Sequence, residues 1–227
     1  MIGIKSFGTY IPKLRLSRQA IYQAMGWFSP ALMMVSQGER SMCNWDEDSI
    51  TMGVSAASYA ISGKDKGEIN SILFASTTMP FADRQNSGII RAALNLDVSC
   101  LTQDITGSQR VGVSALISAH NLSRQMVQLY WWLHQIQGVQ NLAHFMRCIL
   151  GMELPVFLVG NGEDIVAEFV DSYSISVDFN EHFRGENKRF DYFWEERWAR
   201  DEGYIKFIPQ AILKLLEKNR TICKRHI

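Results

Sequence analysis

The sequence predicts a layered α/β fold. Segments with strand character alternate along the chain with segments of helical character, which is typical of helices packed on a sheet. One strand segment, Ile69–Ser76, is an almost unbroken apolar run, as expected for a strand that is buried on both faces. Hydrophobic residues make up 47% of the 227 residues, so the chain can build a sizeable core.

The elements follow from cap, turn and apolar-run signals. Pro12 ends a first strand, and Ser17 is placed to cap a short helix that reaches Met25. The helix predicted over Asp46–Ser62 begins with carboxylates, which suit the positive end of a helix dipole. Residues 26–43 show no regular pattern and are expected to be irregular. The predicted strands are Ile2–Tyr10, Ile69–Ser76, Val98–Ile105 and one or two within Ile165–Phe179, and the longer predicted helices are Asp46–Ser62, Arg84–Leu94, Ser108–Leu122 and Gly203–Asn219.

Three aromatic side chains near the C-terminal end lie four residues apart, at Phe190, Trp194 and Trp198. On a helix this spacing places them on one face. The pattern favours an aromatic stripe packed in a core, with a ligand-lining wall as the alternative.

Composition excludes several classes of protein. Lys plus Arg and Asp plus Glu both number 23, which argues against a nucleic-acid-binding protein that neutralises phosphates. The four cysteines form no CxxC pair, so neither a zinc site nor a disulfide framework is indicated. The N-terminus has no basic start before an apolar block, unlike a signal peptide. The charge-free stretch Gln125–Met146 holds many amides and two histidines, which disfavours a membrane span. We therefore expect a cytoplasmic protein with reduced thiols.

The most informative turn runs from Asp104 to Gly112. Here a predicted strand turns into a helix of small residues, and Gly107 can adopt a backbone conformation that other residues avoid. Such a joint presents one side chain at a helix N-terminus, where free N–H groups stabilise negative charge. The geometry suits a nucleophile and its anionic intermediate, although a plain strand–helix joint is the alternative explanation.

Several segments, in this order and spacing, resemble the thiolase-type condensing enzymes, near hydroxymethylglutaryl-CoA synthase and ketoacyl synthase III. These segments are IGIKSFGTYIPKLRLS, DEDSITMG, SILFASTTMPFADRQ, DITGSQRVGVSALISAHNL and VDFNEHFRGENKRFDYFWEERWARDEGYIKFIPQAI. The resemblance implies a layered αβαβα fold built from two similar halves, with residues 1–160 forming the N-terminal half and 161–227 the beginning of a truncated second half. It also implies a homodimer that acts on acyl-CoA thioesters and needs no further cofactor or metal.

The resemblance implies Claisen-type carbon–carbon condensation, in which a Cys thiolate takes the acyl group while a carboxylate and a His move protons. The position of that Cys falls at Gln109, beside Ser108, and the position of the catalytic Glu falls near Thr77. Neither Gln109 nor Thr77 supplies the expected chemistry, and Asp83 is only a loose substitute for the Glu. The catalytic His is expected beyond residue 227, because the surroundings of His182 do not match its motif.

Two hypotheses for function follow. The first is an acyl-CoA condensing acyltransferase that resembles hydroxymethylglutaryl-CoA synthase and is impaired in this chain. The second is a non-catalytic thiolase-fold protein that binds CoA ligands or a partner protein.

The resemblance is interrupted over residues 126–155, where the chain is MVQLYWWLHQIQGVQNLAHFMRCILGMELP. If the third base of each codon is joined to the first two of the next, Tyr130–Trp131 must encode Leu and Trp131–Trp132 must encode Val. The same shift permits the family's Gly-Asp-Gly-Ala-Ala turn across Leu150–Pro155. We therefore hypothesise that residues 126–155 are read out of frame, with a compensating shift near Val156, and that residues 220–227 are also an out-of-frame end. True divergence of the segment is the alternative.

Overall fold

A six-stranded sheet lies at the centre of the first of two units in the chain. The computed structural model describes residues 1–123, 127–132, 153–185, 188 and 192–219, with the backbone alone for 127–132. The two compact units are Met1–Phe169 and Val170–Ile227. The predicted boundary between residues 160 and 161 stays a prediction.

Three parallel strands and an antiparallel extension make up the sheet. In chain order the strands of the first unit are β1 (Ile2–Tyr10), β2 (Leu14–Ser17), β3 (Glu39–Met42), β4 (Ile69–Ala75), β5 (Leu101–Ile105), β6 (Val127–Trp132), β7 (Leu154–Asn161) and β8 (Ala167–Glu168). The order across the sheet is β5-β4-β6-β7-β1-β8. Strands β5, β4 and β6 are parallel, whereas β7, β1 and β8 are each antiparallel to the neighbour that precedes them in this order. This mixed sheet with helices on its faces confirms the predicted α/β class.

The helices of the first unit are α1 (Arg18–Met25), α2 (Ser49–Ala60), α3 (Asn86–Ala93) and α4 (Val111–Leu122). Successive side chains of a strand point to opposite faces of a sheet, and β4 shows this alternation. Ile72 and Phe74 belong to the core cluster that contains α2 and α3. Leu73 and Ala75 belong to a second cluster that contains α4. The sheet is therefore covered by α2 and α3 on one face and by α4 on the other.

Helix α2 lies very close to β1, and a glycine makes this approach feasible. A Cβ atom on Gly8 would lie 2.1 Å from the carbonyl oxygen of Ala56. Ser6, two residues earlier on the strand, donates a hydrogen bond to the carbonyl oxygen of Ala60 at 2.6 Å. Ala56 and Ala57 on α2 are fully buried, and their small side chains allow the close packing.

The region 26–43, which we expected to be irregular, contains two short elements. Pro30–Val35 forms a 3₁₀-helix, and β3 pairs antiparallel with β2 in a separate two-stranded sheet. Strand β3 was not predicted because its four residues, ERSM, lack both alternation and β-branched side chains. The predicted cap of α1 is confirmed, since the Ser17 side chain accepts a hydrogen bond from the backbone N–H of Ala20.

The second unit contains little regular structure before its last helix. In chain order its elements are β9 (His182–Phe183), β10 (Tyr192–Phe193), a single helical turn (Glu196–Trp198), a π-helix (Ala199–Tyr204) and α5 (Ile205–Lys218). Strand β10 pairs antiparallel with β9. Helix α5 confirms the prediction of a helix over Gly203–Asn219, but no residue of this helix is buried.

The prediction of one or two strands within Ile165–Phe179 is confirmed by β8, which has only two residues. The rest of that range forms no strand, and its apolar residues Val166 and Val170 are 67% and 60% exposed. The predicted helical face through Trp194 and Trp198 is wrong, since β10 comes directly before Trp194 and the helical turn begins only at Glu196. Phe190, the third residue of the predicted stripe, lies outside the described residues. The two indole rings do lie 5.4 Å apart, although Trp194 is 57% exposed.

Other predictions differ only in their bounds or fall outside the described residues. Helices α2, α3 and α4 begin two to three residues later than predicted. In the described part of the chain no helix has the length and apolar character required to cross a membrane. The backbone of β6 lies within the segment 126–155. Residues 133–152 and 220–227, and with them most of the out-of-frame hypothesis, lie outside the described residues.

Candidate functional site

The site predicted from sequence lies at one edge of the sheet, where parallel strands end. Ala75 at the end of β4 is in register with Ile105 at the end of β5. Beyond these residues the backbone N–H of Ser76 donates to the carbonyl oxygen of Ile105 at 3.1 Å. The segment that holds Thr77 and the segment that holds Ser108 and Gln109 therefore leave the sheet side by side.

An exposed turn joins β5 to α4. Gly107 has a φ angle of +95°, in the region that favours glycine, and residues 106–110 are all exposed. The Ser108 side-chain oxygen accepts a hydrogen bond from the backbone N–H of Arg110 at 3.1 Å, and its carbonyl oxygen accepts one from Val111 at 3.1 Å. These bonds hold Ser108 and Gln109 in a turn, so α4 begins three residues later than predicted.

The loop after β4 is anchored to its neighbours by hydroxyl groups. The backbone N–H of Thr78 donates to the side-chain oxygen of Ser76 at 3.0 Å. The hydroxyl of Ser49, in the first turn of α2, donates to the carbonyl oxygen of Thr78 at 3.2 Å. Thr77, which lies between these contacts, is half-buried. Asp83, farther along the loop, is exposed.

A carboxylate at the end of β5 holds the start of α3. One oxygen of Asp104 accepts from the backbone N–H of Asn86 at 2.7 Å and from its side-chain Nδ2 at 2.9 Å. The other oxygen accepts from the backbone N–H of Ser87 at 2.8 Å. Burial opposes ionisation of Asp104, but the hydrogen bonds from Ser87 and Asn86 outweigh it and hold its pKa below the usual value.

A tyrosine at the same edge was not identified from the sequence. Strand β1 runs parallel to β4, because two antiparallel pairings separate β1 from β6. Tyr10 therefore ends at the edge where β4 and β5 end, and its hydroxyl donates a hydrogen bond to Glu47. This bond, together with burial and the Glu47 charge, raises the pKa of Tyr10 to about 12. The two residues are 37 positions apart, so only the tertiary structure could pair them.

Neither of the cysteines in the described part of the chain has the character of a nucleophile. Burial and the charges of Glu47 and Asp48 raise the pKa of the Cys43 thiol to about 11. Burial also raises the pKa of Cys100, which is 6% exposed and lies in the core. A raised thiol pKa lowers the fraction of reactive thiolate at neutral pH.

General bases and metal ligands are also scarce near the turn. His120 lies nine residues into α4, about 14 Å along the helix from Val111, and its ring stacks on Phe169 at 3.8 Å. His182 belongs to the second unit, where its ring lies 4.5 Å from that of Phe193. Across the described residues no group of three or more His, Cys, Asp or Glu side chains could hold a metal ion.

Comparisons with known proteins support the resemblance. The chain is 28% identical over 226 residues to the hydroxymethylglutaryl-CoA synthase of Methanosarcina acetivorans, which covers 96% of this chain and 63% of the relative. It is 24% identical over 219 residues to the same enzyme of Aeropyrum pernix, covering 95% of this chain and 60% of the relative. The chain thus spans less than two thirds of the length of these relatives. No family model matches the chain.

Solved structures decide the fold. OleA of Xanthomonas campestris superposes with a TM-score of 0.80 at 14% identity, covering 95% of this chain and 71% of that one. A hydroxymethylglutaryl-CoA synthase complexed with CoA gives a TM-score of 0.79 at 14% identity, covering 96% and 56%. The chain has the thiolase fold and resembles hydroxymethylglutaryl-CoA synthase. A 3-oxoacyl-(acyl-carrier protein) synthase from Burkholderia xenovorans also matches, with a TM-score of 0.64 at 16% identity over 71% of this chain and 49% of that one.

The thiolase fold gives the joint between β5 and α4 its interest, because the family resemblance puts the acyl-accepting residue there. The expected thiol, acid and base are not found here. Gln109 carries a carboxamide and Thr77 a hydroxyl, and the described histidine of this unit, His120, lies far along α4. No finding tests the roles of Thr77, Ser108 and Gln109, so these roles stay predictions.

Proposed function

We propose that the protein acts on acyl-CoA thioesters as a condensing acyltransferase of the hydroxymethylglutaryl-CoA synthase type, with its chemistry impaired in this chain. Sequence similarity to hydroxymethylglutaryl-CoA synthases over about the whole chain supports the reaction class. Solved structures with the same fold, one complexed with CoA and one with 3-hydroxy-3-methylglutaryl coenzyme A, support the ligand class.

One observation carries the proposal: Thr77 and Gln109 follow the ends of adjacent parallel strands, and Gln109 lies just before the N-terminus of α4. The first turn of that helix has no side-chain cap, and the Val111 N–H already donates to the carbonyl oxygen of Ser108, so the N–H groups that follow Val111 are the ones placed to stabilise an oxygen that gains negative charge. A thioester carbonyl placed beside residue 109 would gain such charge when a nucleophile attacks its carbon.

The impairment follows from the groups at these positions. In the family reaction a thiolate attacks the thioester carbon, CoA leaves as its thiol, and a base removes a proton from the second acyl group. The carboxamide of Gln109 has no lone pair basic enough for that attack. Thr77 has no group that ionises near neutral pH, so it cannot move the proton as a carboxylate would.

The second candidate function is non-catalytic binding of CoA ligands or of a partner protein. The same substitutions favour it, because they remove chemistry without blocking the site: residues 106–110 are exposed and built from short or flexible side chains. A homodimer and a cytoplasmic location remain part of the proposal.

The experiment measures CoA binding and thioester release on the purified chain. We expect the chain to bind acetyl-CoA in calorimetry and to release little free thiol from it. The Gln109→Cys variant should form a covalent acetyl adduct visible by mass spectrometry, whereas the control Ser58→Cys, on an exposed site of α2, should not. Absence of both CoA binding and adduct formation would overturn the proposal.

Ser108 provides a separate outcome. If the unmodified chain releases thiol from the thioester and the Ser108→Ala variant does not, the serine hydroxyl catalyses the release. CoA binding without release in either protein would favour the non-catalytic function.

A further inference from the structure

The Asp104–Asn86 pair connects three segments that surround the candidate site. Asp104 lies at the end of β5, two residues before the exposed turn that contains Ser108 and Gln109. Asn86 is the first residue of α3 and is 1% exposed. The third segment is the loop after β4, which begins at Thr77 and ends at α3.

Asn86 uses both ends of its carboxamide on that loop. Its Oδ1 accepts from the backbone N–H of Phe81 at 3.1 Å. Its Nδ2 donates to the carbonyl oxygens of Phe81 at 3.0 Å and Arg84 at 3.2 Å, as well as to Asp104. The Asn86 side chain therefore holds the shape of the loop, and its bond to Asp104 ties that loop to the end of β5.

A neighbouring residue reinforces the same connection. Gln85 donates from its Nε2 to the carbonyl oxygen of Thr102 on β5. Gln85 makes no side-chain cap bond to α3, so the carboxylate of Asp104, from another element, takes the place of a local cap. If these residues only capped α3, neither the three contacts of Asn86 with the loop nor the Gln85 contact would be needed. The arrangement therefore also joins the loop to β5.

We propose that Asp104 and Asn86 are positioning residues that set the turn at residues 106–110 against the loop that begins at Thr77. This inference rests on the proposed function, because it assumes that the two segments act together on one substrate. Side chains in such a site must be held to within a fraction of an ångström, and a buried charge-assisted network achieves this better than exposed turns can.

The test introduces a thiol probe at the turn and disturbs the pair. In the full chain carrying Gln109→Cys, the rate of alkylation of Cys at position 109 by iodoacetamide is followed by peptide mass spectrometry as a function of pH. Adding Asn86→Ala should raise the pKa of that thiol by about one unit and slow alkylation at neutral pH about tenfold, because the thiol is held less well at the helix N-terminus.

A matched control separates positioning from stability. Ser17→Ala removes a helix cap in the same unit but outside this edge. Both Asn86→Ala and Ser17→Ala should lower the melting temperature, and only Asn86→Ala should change the thiol. Equal alkylation profiles in the two backgrounds would overturn the proposal and leave the pair as a cap.

A second variant covers the case in which Asn86→Ala does not fold. Asp104→Asn keeps the volume of the side chain but turns one acceptor into a donor, which in either orientation of the carboxamide faces a backbone N–H at the start of α3, so it should shift the thiol profile in the same direction. The thiol readout needs no CoA ligand. A chain that neither binds CoA nor forms the acetyl adduct would therefore overturn the proposed function without affecting this result.

Discussion

The carboxylate of Asp104 accepts three hydrogen bonds, and its protonation would remove them. Because its pKa is depressed in the folded protein, its stabilising effect is complete above the ordinary Asp value of 3.8 and is lost as the pH falls through the lower folded value. We expect Asp104→Asn to cost about 2 kcal/mol of unfolding free energy at neutral pH. The difference between this variant and the unmodified chain should become smaller below about pH 4.

Urea unfolding followed between about pH 7 and pH 3 checks this expectation. Asp83→Asn, at an exposed carboxylate on the neighbouring loop, is the control and should change the unfolding free energy at neutral pH by less than about 0.5 kcal/mol. A constant difference between Asp104→Asn and the unmodified chain at every pH would contradict the assignment.

Gly8 is the residue on which the packing of α2 against β1 depends. Its Cα hydrogen faces the backbone of α2, where a Cβ atom would meet the Ala56 oxygen at 2.1 Å and the Ala60 nitrogen at 2.6 Å. Backbone atoms cannot swing aside as side chains do, so we expect Gly8→Ala to lower the unfolding free energy by about 1–3 kcal/mol. Gly63→Ala, where nothing lies within 4 Å but φ is +71°, separates this clash from a purely backbone effect of about 1 kcal/mol.

Among the elements, α2 begins with a complete capping box. The Asp48 side chain accepts from the backbone N–H of Thr51 at 2.8 Å, and the Thr51 hydroxyl accepts from the backbone N–H of Asp48 at 2.8 Å. We expect Asp48→Ala to cost about 1 kcal/mol, because it exposes orphan N–H groups at the helix start. Asp46→Ala is the control, because it removes a nearby exposed carboxylate outside the box. In thermal melts, Asp48→Ala should lower the melting temperature more than Asp46→Ala does.

Elements with strong local signals were predicted well, and those that depend on pairing were not. The bounds of β1 match the prediction, and β4 is one residue shorter than predicted, because a strand ended by a proline and an apolar run are both local patterns. Strand β3 was missed, since its pairing with β2 is what makes it a strand. The start of α4 moved to Val111 because the hydrogen bonds of Ser108 favour a turn, which composition does not reveal.

For the whole molecule, apolar side chains are exposed in both units. On α4, Val113 is 48% exposed, and on α5 Ile208 and Ile212 are 51% and 52% exposed. Exposed apolar helix faces favour association. We expect light scattering to show a molecular mass that rises with protein concentration. The double variant Ile208→Lys, Ile212→Lys should show a smaller rise. A single monomeric mass at all concentrations would contradict this expectation.

The reading-frame hypothesis also concerns the whole molecule. Independent resequencing of the DNA across the codons for residues 126–155 should recover a one-base change at each end of the segment. A chain expressed from the restored frame should melt at a higher temperature and more cooperatively than the present chain, because family residues would then form β6 and the segment after it. An intact frame in several independent reads would refute the hypothesis.

The sequence by itself determined the α/β class, the capped helices, the apolar central strand and the joint at which the family resemblance places its acyl acceptor. These features are local, since periodicity, caps and short motifs depend on neighbouring residues. Only the tertiary structure brought Tyr10 to Glu47, Asp104 to Asn86 and Thr77 to the edge shared with Gln109. Those contacts join residues 18 to 37 positions apart, and the order and direction of strands in the sheet, which no local pattern encodes, decide them.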